Sequence, residues 1–189
     1  MDFDVLLCER NEVRDFIEKW HYSHNINGLM SSYCFKLMDG ERMIGAMMFG
    51  RLGMANAWRK YANKESDVLE LRRLVCVDDT PKNTESYFIG KCLRWLKNNT
   101  AVKTIVSYAD PNYGHQGIIY QATNFTKVGM TAKGKVILWN GKKYHDKAIR
   151  TKYRGELKPF AKALKQALDS GLAEYSVQEP KIIYVKELQ

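Results

Sequence analysis

The chain has 189 residues, 45% hydrophobic and 27% charged, which is long enough to bury a core and too apolar for a disordered polymer. Thirty Lys and Arg against 21 Asp and Glu leave a net charge of +9, a balance that favours polyanionic partners, nucleic acid foremost. Asp2 and Asp4 precede the first apolar run, no stretch approaches the roughly 18 apolar residues of a membrane span, and Cys8, Cys34, Cys76 and Cys92 form no Cys-x-x-Cys pair. No secretory leader, membrane partner, zinc site or disulfide framework is therefore expected, and the reading is a cytoplasmic protein with buried thiols.

In chain order, residues 10–22 place Val13, Phe16, Ile17 and Trp20 at helical spacing and run into His21-Tyr22-Ser23-His24. Asn25-Ile26-Asn27-Gly28 breaks that helix. Two apolar runs, residues 32–38 and 43–49, flank Asp39-Gly40, which predicts a β-hairpin. Residues 68–78 alternate and then run apolar, as a strand buried first on one face and then on both. A helix with a broad apolar face is expected over 86–97 and a short buried strand over 102–108. Residues 116–124 read as a short helix, and 135–139 with 143–145 as strands about Asn140-Gly141. The tail offers a helix over 159–168 and a strand over 181–185. Strands alternating with helices, with no linker or repeat, predict one α/β domain, a mixed sheet with helices on its faces.

That order resembles the GNAT (Gcn5-related N-acetyltransferase) fold, with its mostly antiparallel central sheet. The resemblance implies acetyl-coenzyme A as cofactor, its pyrophosphate at the N-terminus of the helix after the central strand, where unpaired N–H groups and the helix dipole favour anions. Cys76, Val77, Lys82, Thr84, Ser86 and Tyr87 then line the cofactor site, with Asn124 and Phe125 against the donor. The glycine-rich loop of the family is absent from residues 79–86, and Thr84 reads equally as a helix cap.

A sharper likeness lies in Ser107-Tyr108-Ala109-Asp110-Pro111, Gly114-His115-Gln116-Gly117 and Ile119-Tyr120-Gln121-Ala122, taken with Trp20-His21-Tyr22-Ser23. These resemble the Mom family of phage DNA-modification proteins, over about residues 15–155. The resemblance implies methylcarbamoylation of the adenine N6 amine, protection of phage DNA from restriction, and action inside an infected bacterial cell. It places Asp110, Tyr120, Ser107 and His115 in the catalytic site, and His21, Tyr22 and Asp110 at an iron ion. Read without it, Asp110 is a turn residue, Tyr120 a core aromatic, and His21 and His24 surface or capping histidines.

Arg51, Arg59 and Lys60, and downstream Lys142, Lys143, Lys147, Arg150, Lys152 and Arg154 with Trp139, Tyr144 and Tyr153, are the candidate contacts to double-stranded DNA, whose target adenine must be flipped out to react. A second copy of the chain is a further candidate partner. Two other readings stay open: an acetyltransferase of a protein or small-molecule amine, and a DNA-binding relative without catalysis.

Overall fold

The computed structural model describes residues 2–188. In chain order the main elements are β1 (Asp4–Cys8), α1 (Arg10–Trp20), β2 (Tyr33–Asp39), β3 (Arg42–Gly50), β4 (Val68–Cys76), α2 (Thr84–Asn99), β5 (Thr104–Ala109), α3 (Ile118–Ala122) and β6 (Thr126–Met130). They continue with β7 (Gly134–Trp139), β8 (Lys142–His145), β9 (Lys152–Tyr153), β10 (Glu156–Leu157), α4 (Pro159–Asp169), β11 (Ala173–Gln178) and β12 (Ile182–Glu187). The chain divides into two compact units, a larger one holding the residues up to Ala109, His115–Gly129 and those from Ile182 on, and a smaller one of Asp110–Gly114 and Met130–Lys181.

The larger unit is built on a seven-stranded sheet in the order β1-β2-β3-β4-β5-β12-β6. All of the registered pairs are antiparallel except β4 with β5. Side-chain alternation sends Met47 and Phe49 to one face and Ala46 and Met48 to the other, so the sheet is apolar on both sides and takes a helix on each. One face packs on α2 through Phe88, Ile89, Cys92 and Leu96, and the other on α1 through Val13 and Ile17. Helix α1 starts where the Glu9 N–H donates to Glu12 Oε1 at 2.8 Å, satisfying a donor that the helix cannot.

The expected hairpin is present, with Asp39 opposite Arg42 and Gly40 at φ +58°. Strand β4 ends at Cys76, two residues short of the expected span, because its ladder with β3 closes there. Cys34 and Cys92 are buried as expected, whereas Cys8 and Cys76 are half-buried.

The smaller unit has a three-stranded sheet, β11-β7-β8, covered by α4. Ile137, Leu164, Ala167 and Ala173 form its core, with Trp139, Tyr144 and Phe160 stacked at its margin. Strands β1, β6, β9, β10 and β11 were not expected. They carry no clear apolar alternation because most of their side chains are exposed, as with Leu6 and Leu7 in β1 and Tyr175 and Val177 in β11. No helix among the described residues is long and apolar enough to cross a membrane.

Candidate functional site

The larger unit opens along the parallel pair of β4 and β5. Strands β4 and β5 are in register from Val68↔Thr104 to Leu71↔Ser107, and there the ladder stops, although β4 runs on to Cys76 and β5 to Ala109. Beyond that point β4 keeps β3 as partner and β5 keeps β12, so among the described residues no ladder joins the edges that face each other.

Ser107 is fully buried at this fork, its Oγ 3.4 Å from the Leu71 carbonyl, and the Tyr120 hydroxyl lies within hydrogen-bonding reach of it. Burial pushes the Tyr120 phenol above its ordinary range; the Ser107 hydrogen bond opposes the shift and the Glu85 charge adds to it. Tyr120 therefore stays protonated at neutral pH. Its ring rests against Phe125 and Tyr184, at centroid distances of 5.5 and 5.3 Å. Tyr184 locks the loop before α3: its hydroxyl donates to the Gln116 carbonyl at 2.8 Å and accepts from the Gln121 amide at 2.9 Å. Gly117 sits against that ring at φ +79°, where a Cβ would overlap it.

Beside the fork, a cleft of about 250 Å³ is lined by Cys76, Val77, Asp78, Thr80, Pro81, Lys82, Asn83, Thr84 and Glu85. Among the described residues, the N–H groups of Glu85 and Ser86 have no backbone partner, as the first turn of a helix requires. The cleft thus gathers Cys76, Val77, Lys82 and Thr84 of the expected cofactor residues. Thr84 does not cap α2: it is buried in the first turn, and its hydroxyl donates to the Pro81 carbonyl at 2.7 Å. Ser86 likewise donates to Asn83 O at 2.9 Å. Tyr87 lies outside the lining, donating to Phe3 O at 3.0 Å, and Asn124 forms a left-handed turn at φ +60° after α3. Glu85 has its carboxyl raised by burial, with His115 opposing and Asp78 adding. The Cys76 thiol is pushed up to about 12, by burial first and the Glu85 charge second, so it is protonated and no nucleophile at neutral pH.

On the sheet face covered by α1, His21 is buried, its ring 4.2 Å from that of Tyr22, which stands 4.9 Å from His115. His21 Nδ1 accepts the Ser23 N–H at 3.1 Å, so the ring proton sits on Nε2. Burial, with the Arg73, His115 and His24 charges, pulls its pKa down to about 3. Strand β4 adds charges that the sequence reading missed, although Glu70, Arg72 and Arg73 stand out in a run that is otherwise apolar. Arg72 bonds the Arg51 carbonyl at 2.6 Å and pairs with Glu70 at 3.4 Å, and its Nε is buried with no hydrogen-bond partner among the described residues. Arg73 donates to Asn25 O at 3.1 Å.

Asp110, in the smaller unit, accepts from Asn112 N and Nδ2 at 3.1 and 2.8 Å and pairs with Lys181 at 2.9 Å. Burial raises its carboxyl, but the Asn112 and Lys181 contacts outweigh burial and hold it below the usual carboxylate range. Among the described residues no group of three or more His, Cys, Asp and Glu side chains comes together to hold a metal ion. The residues implied for iron divide between the two units, His21 and Tyr22 in the larger and Asp110 in the smaller, and His21 Nδ1 is already engaged by Ser23.

Of the candidate DNA contacts, Arg51, Arg59 and Lys60 are exposed in the larger unit, Arg59 lying over Trp58 at 5.4 Å. Lys142, Lys143, Lys147, Arg150 and Lys152 are exposed in the smaller unit.

A model of the Mom protein family matches residues 2–187. Methylcarbamoylase mom of Escherichia phage Mu is 27% identical over 146 residues, which are 75% of this chain and 59% of that protein. The chain thus matches about six-tenths of that relative's length. Among solved structures, the ribosomal-protein-S5-alanine acetyltransferase from Vibrio fischeri superposes at TM-score 0.55 and 10% identity, covering 100% of this chain and 94% of that one. Arabidopsis thaliana NAA60, in complex with acetyl-CoA, gives 0.55 at 8% identity over 98% of both chains. At these identities the likeness is one of fold.

Proposed function

The chain belongs to the Mom protein family, and from that premise we propose that it transfers an acyl group from acyl-coenzyme A to the N6 amine of adenine in double-stranded DNA, inside a phage-infected bacterium. Methylcarbamoylation, the activity for which the phage Mu relative is named, is the expected form where the acyl group on the thioester is itself methylcarbamoyl. The observation that carries this reading is the fork at Leu71 and Ser107, with Tyr120 at its base and the open first turn of α2 beside it. A pantetheine arm carries amides that suit the gap where the β4–β5 ladder ends, and the first-turn N–H groups of Glu85 and Ser86, with Lys82, suit a pyrophosphate.

In the transfer, the adenine nitrogen bonds to the thioester carbon, the carbon–sulfur bond breaks, the amine loses a proton and the thiolate gains one. Tyr120, kept protonated by its surroundings, is the donor to the thiolate, and Ser107 orients it. Asp110, ionised at neutral pH, is the residue to which the family resemblance gives a part in the reaction. His115 and Tyr22 present rings against which a flipped base can stack. Because Cys76 is protonated at neutral pH, it is not the carrier of an acyl-enzyme.

An acetyl group contains no nitrogen, so the adduct's mass separates acetyl from methylcarbamoyl transfer and shows whether a second donor supplies nitrogen. The test is nucleoside mass spectrometry of DNA from expressing cells, with calorimetry of coenzyme A and acetyl-coenzyme A. An adenosine adduct with binding of either ligand is expected; DNA without any adduct, from protein that binds neither, refutes the proposal. Asp78 and Glu85 in the cleft, with the family's glycine loop missing, favour one alternative, a DNA-binding relative without catalysis, which predicts DNA binding and no adduct.

A further inference from the structure

The smaller unit carries most of the charge. Residues 110–114 and 130–181 hold twelve Lys and Arg against six Asp and Glu, a net +6 of the chain's +9. Within it, β9 and β10 form a two-residue hairpin, Tyr153 facing Glu156 and Lys152 facing Leu157, closed at its base by Lys158 N–H donating to Thr151 O at 2.9 Å. Both turn residues are left-handed, Arg154 at φ +50° and Gly155 at φ +85°. Asn or Gly is the ordinary occupant of that first position, where an arginine is strained.

What the strain holds in place is an aromatic–cation pair. Tyr153 is 64% exposed at the tip, and the Arg154 guanidinium lies 5.3 Å over its ring. Lys152 in β9, Lys158 at the hairpin base and Lys147 in the preceding turn are exposed and take part in no ion pair among the described residues, whereas Arg150 is tied to Asp146 at 2.9 Å. The tight turn needs a left-handed residue but not an arginine, and nothing in the core needs Tyr153 exposed, so the strained choice points to function. A flat aromatic with a planar cation is suited to stacking on bases, and free ammonium groups to phosphates.

We propose that the β9–β10 hairpin is a DNA-contacting finger, in which Tyr153 and Arg154 stack on bases of the duplex and Lys147, Lys152 and Lys158 hold its backbone. The proposal rests on the reading that the substrate is DNA. It assigns to this chain a base-contacting element that the acyl-transfer chemistry does not require and that charge alone does not single out.

The test is fluorescence anisotropy of a labelled mixed-sequence duplex, measured at several salt concentrations with the full-length protein. Tyr153→Ala and Arg154→Gly together should weaken binding on the order of tenfold or more. Lys152→Ala should lower the slope of log affinity against log salt by about one phosphate contact. Arg154→Gly should also raise the melting temperature, because glycine accepts the left-handed conformation, so stability and affinity move in opposite directions. Parental affinity in the Tyr153/Arg154 double variant overturns the proposal, as does an equal loss of affinity for heparin, which has charge but no bases. If the parental protein binds no duplex, the DNA substrate itself falls; if it binds and the variants are silent, only the finger does.

Discussion

Acidification offers a direct check on the buried His21. Its imidazole is neutral in the folded chain down to about pH 3, against 6.5 when solvated. Because the folded value lies below the unfolded one, protons bind preferentially to the unfolded chain as pH falls under 6.5, so the contribution is intact above that pH and lost progressively below it. Between pH 7 and pH 5 this single group should remove about 2 kcal/mol of stability. His21→Asn keeps an acceptor for the Ser23 N–H and has no titration in that window. Urea denaturation of both proteins at the two pH values gives the comparison: the parent should lose about 2 kcal/mol more than the variant. If both lose the same amount, His21 is not held neutral, and the argument that burial lowers its pKa fails.

Tyr120→Phe removes one hydroxyl at the fork and should slow adduct formation roughly a hundredfold, while the lost Ser107 contact costs only about 1 kcal/mol in thermal melts; an unchanged rate removes Tyr120 from the chemistry. Gly117→Ala places a methyl into the Tyr184 ring at a left-handed position and should cost ~3 kcal/mol, a drop of several degrees by calorimetry; a silent result would mean that the loop is not locked. Asp110→Asn retains an acceptor for Asn112 but ends the ion pair with Lys181, at a cost on the order of 1 kcal/mol. Since the Asp110 carboxyl is depressed, that contribution is present above the ordinary carboxylate pKa and lost as pH falls through its folded value, so parent and variant should converge in stability in strong acid. A loss of adduct much larger than this stability change assigns Asp110 to the reaction, and parental activity denies it.

Local chemistry alone determined a good part of this molecule. The Asp39-Gly40 hairpin, the amphipathic spacing of Val13 and Ile17, and the apolar faces of β4 and α2 are each written in a few neighbouring residues, because helix and strand periods are properties of the backbone. The family likeness rested in the same way on short blocks, Ser107 to Pro111 and Gly114 to Ala122, which keep their spacing along the chain. The edge strands β1, β6 and β11 were illegible, since strands with few buried side chains leave little alternation to read.

Tertiary structure alone decided how the parts meet. Nothing in residues 68–76 or 104–109 says that their pairing ends at Leu71 and Ser107, yet that termination creates the fork and brings Tyr120 to Ser107. Thr84 carries the same hydroxyl whether it caps a helix or turns inward, and only its burial commits it to Pro81 O. Glu70, Arg72 and Arg73 were visible as charges in an apolar strand, but the chain has to fold before Arg72 can lose its water without gaining a partner at Nε. Composition reports which groups exist; burial and register, which couple residues far apart in sequence, decide which of them remain charged, paired or free to act.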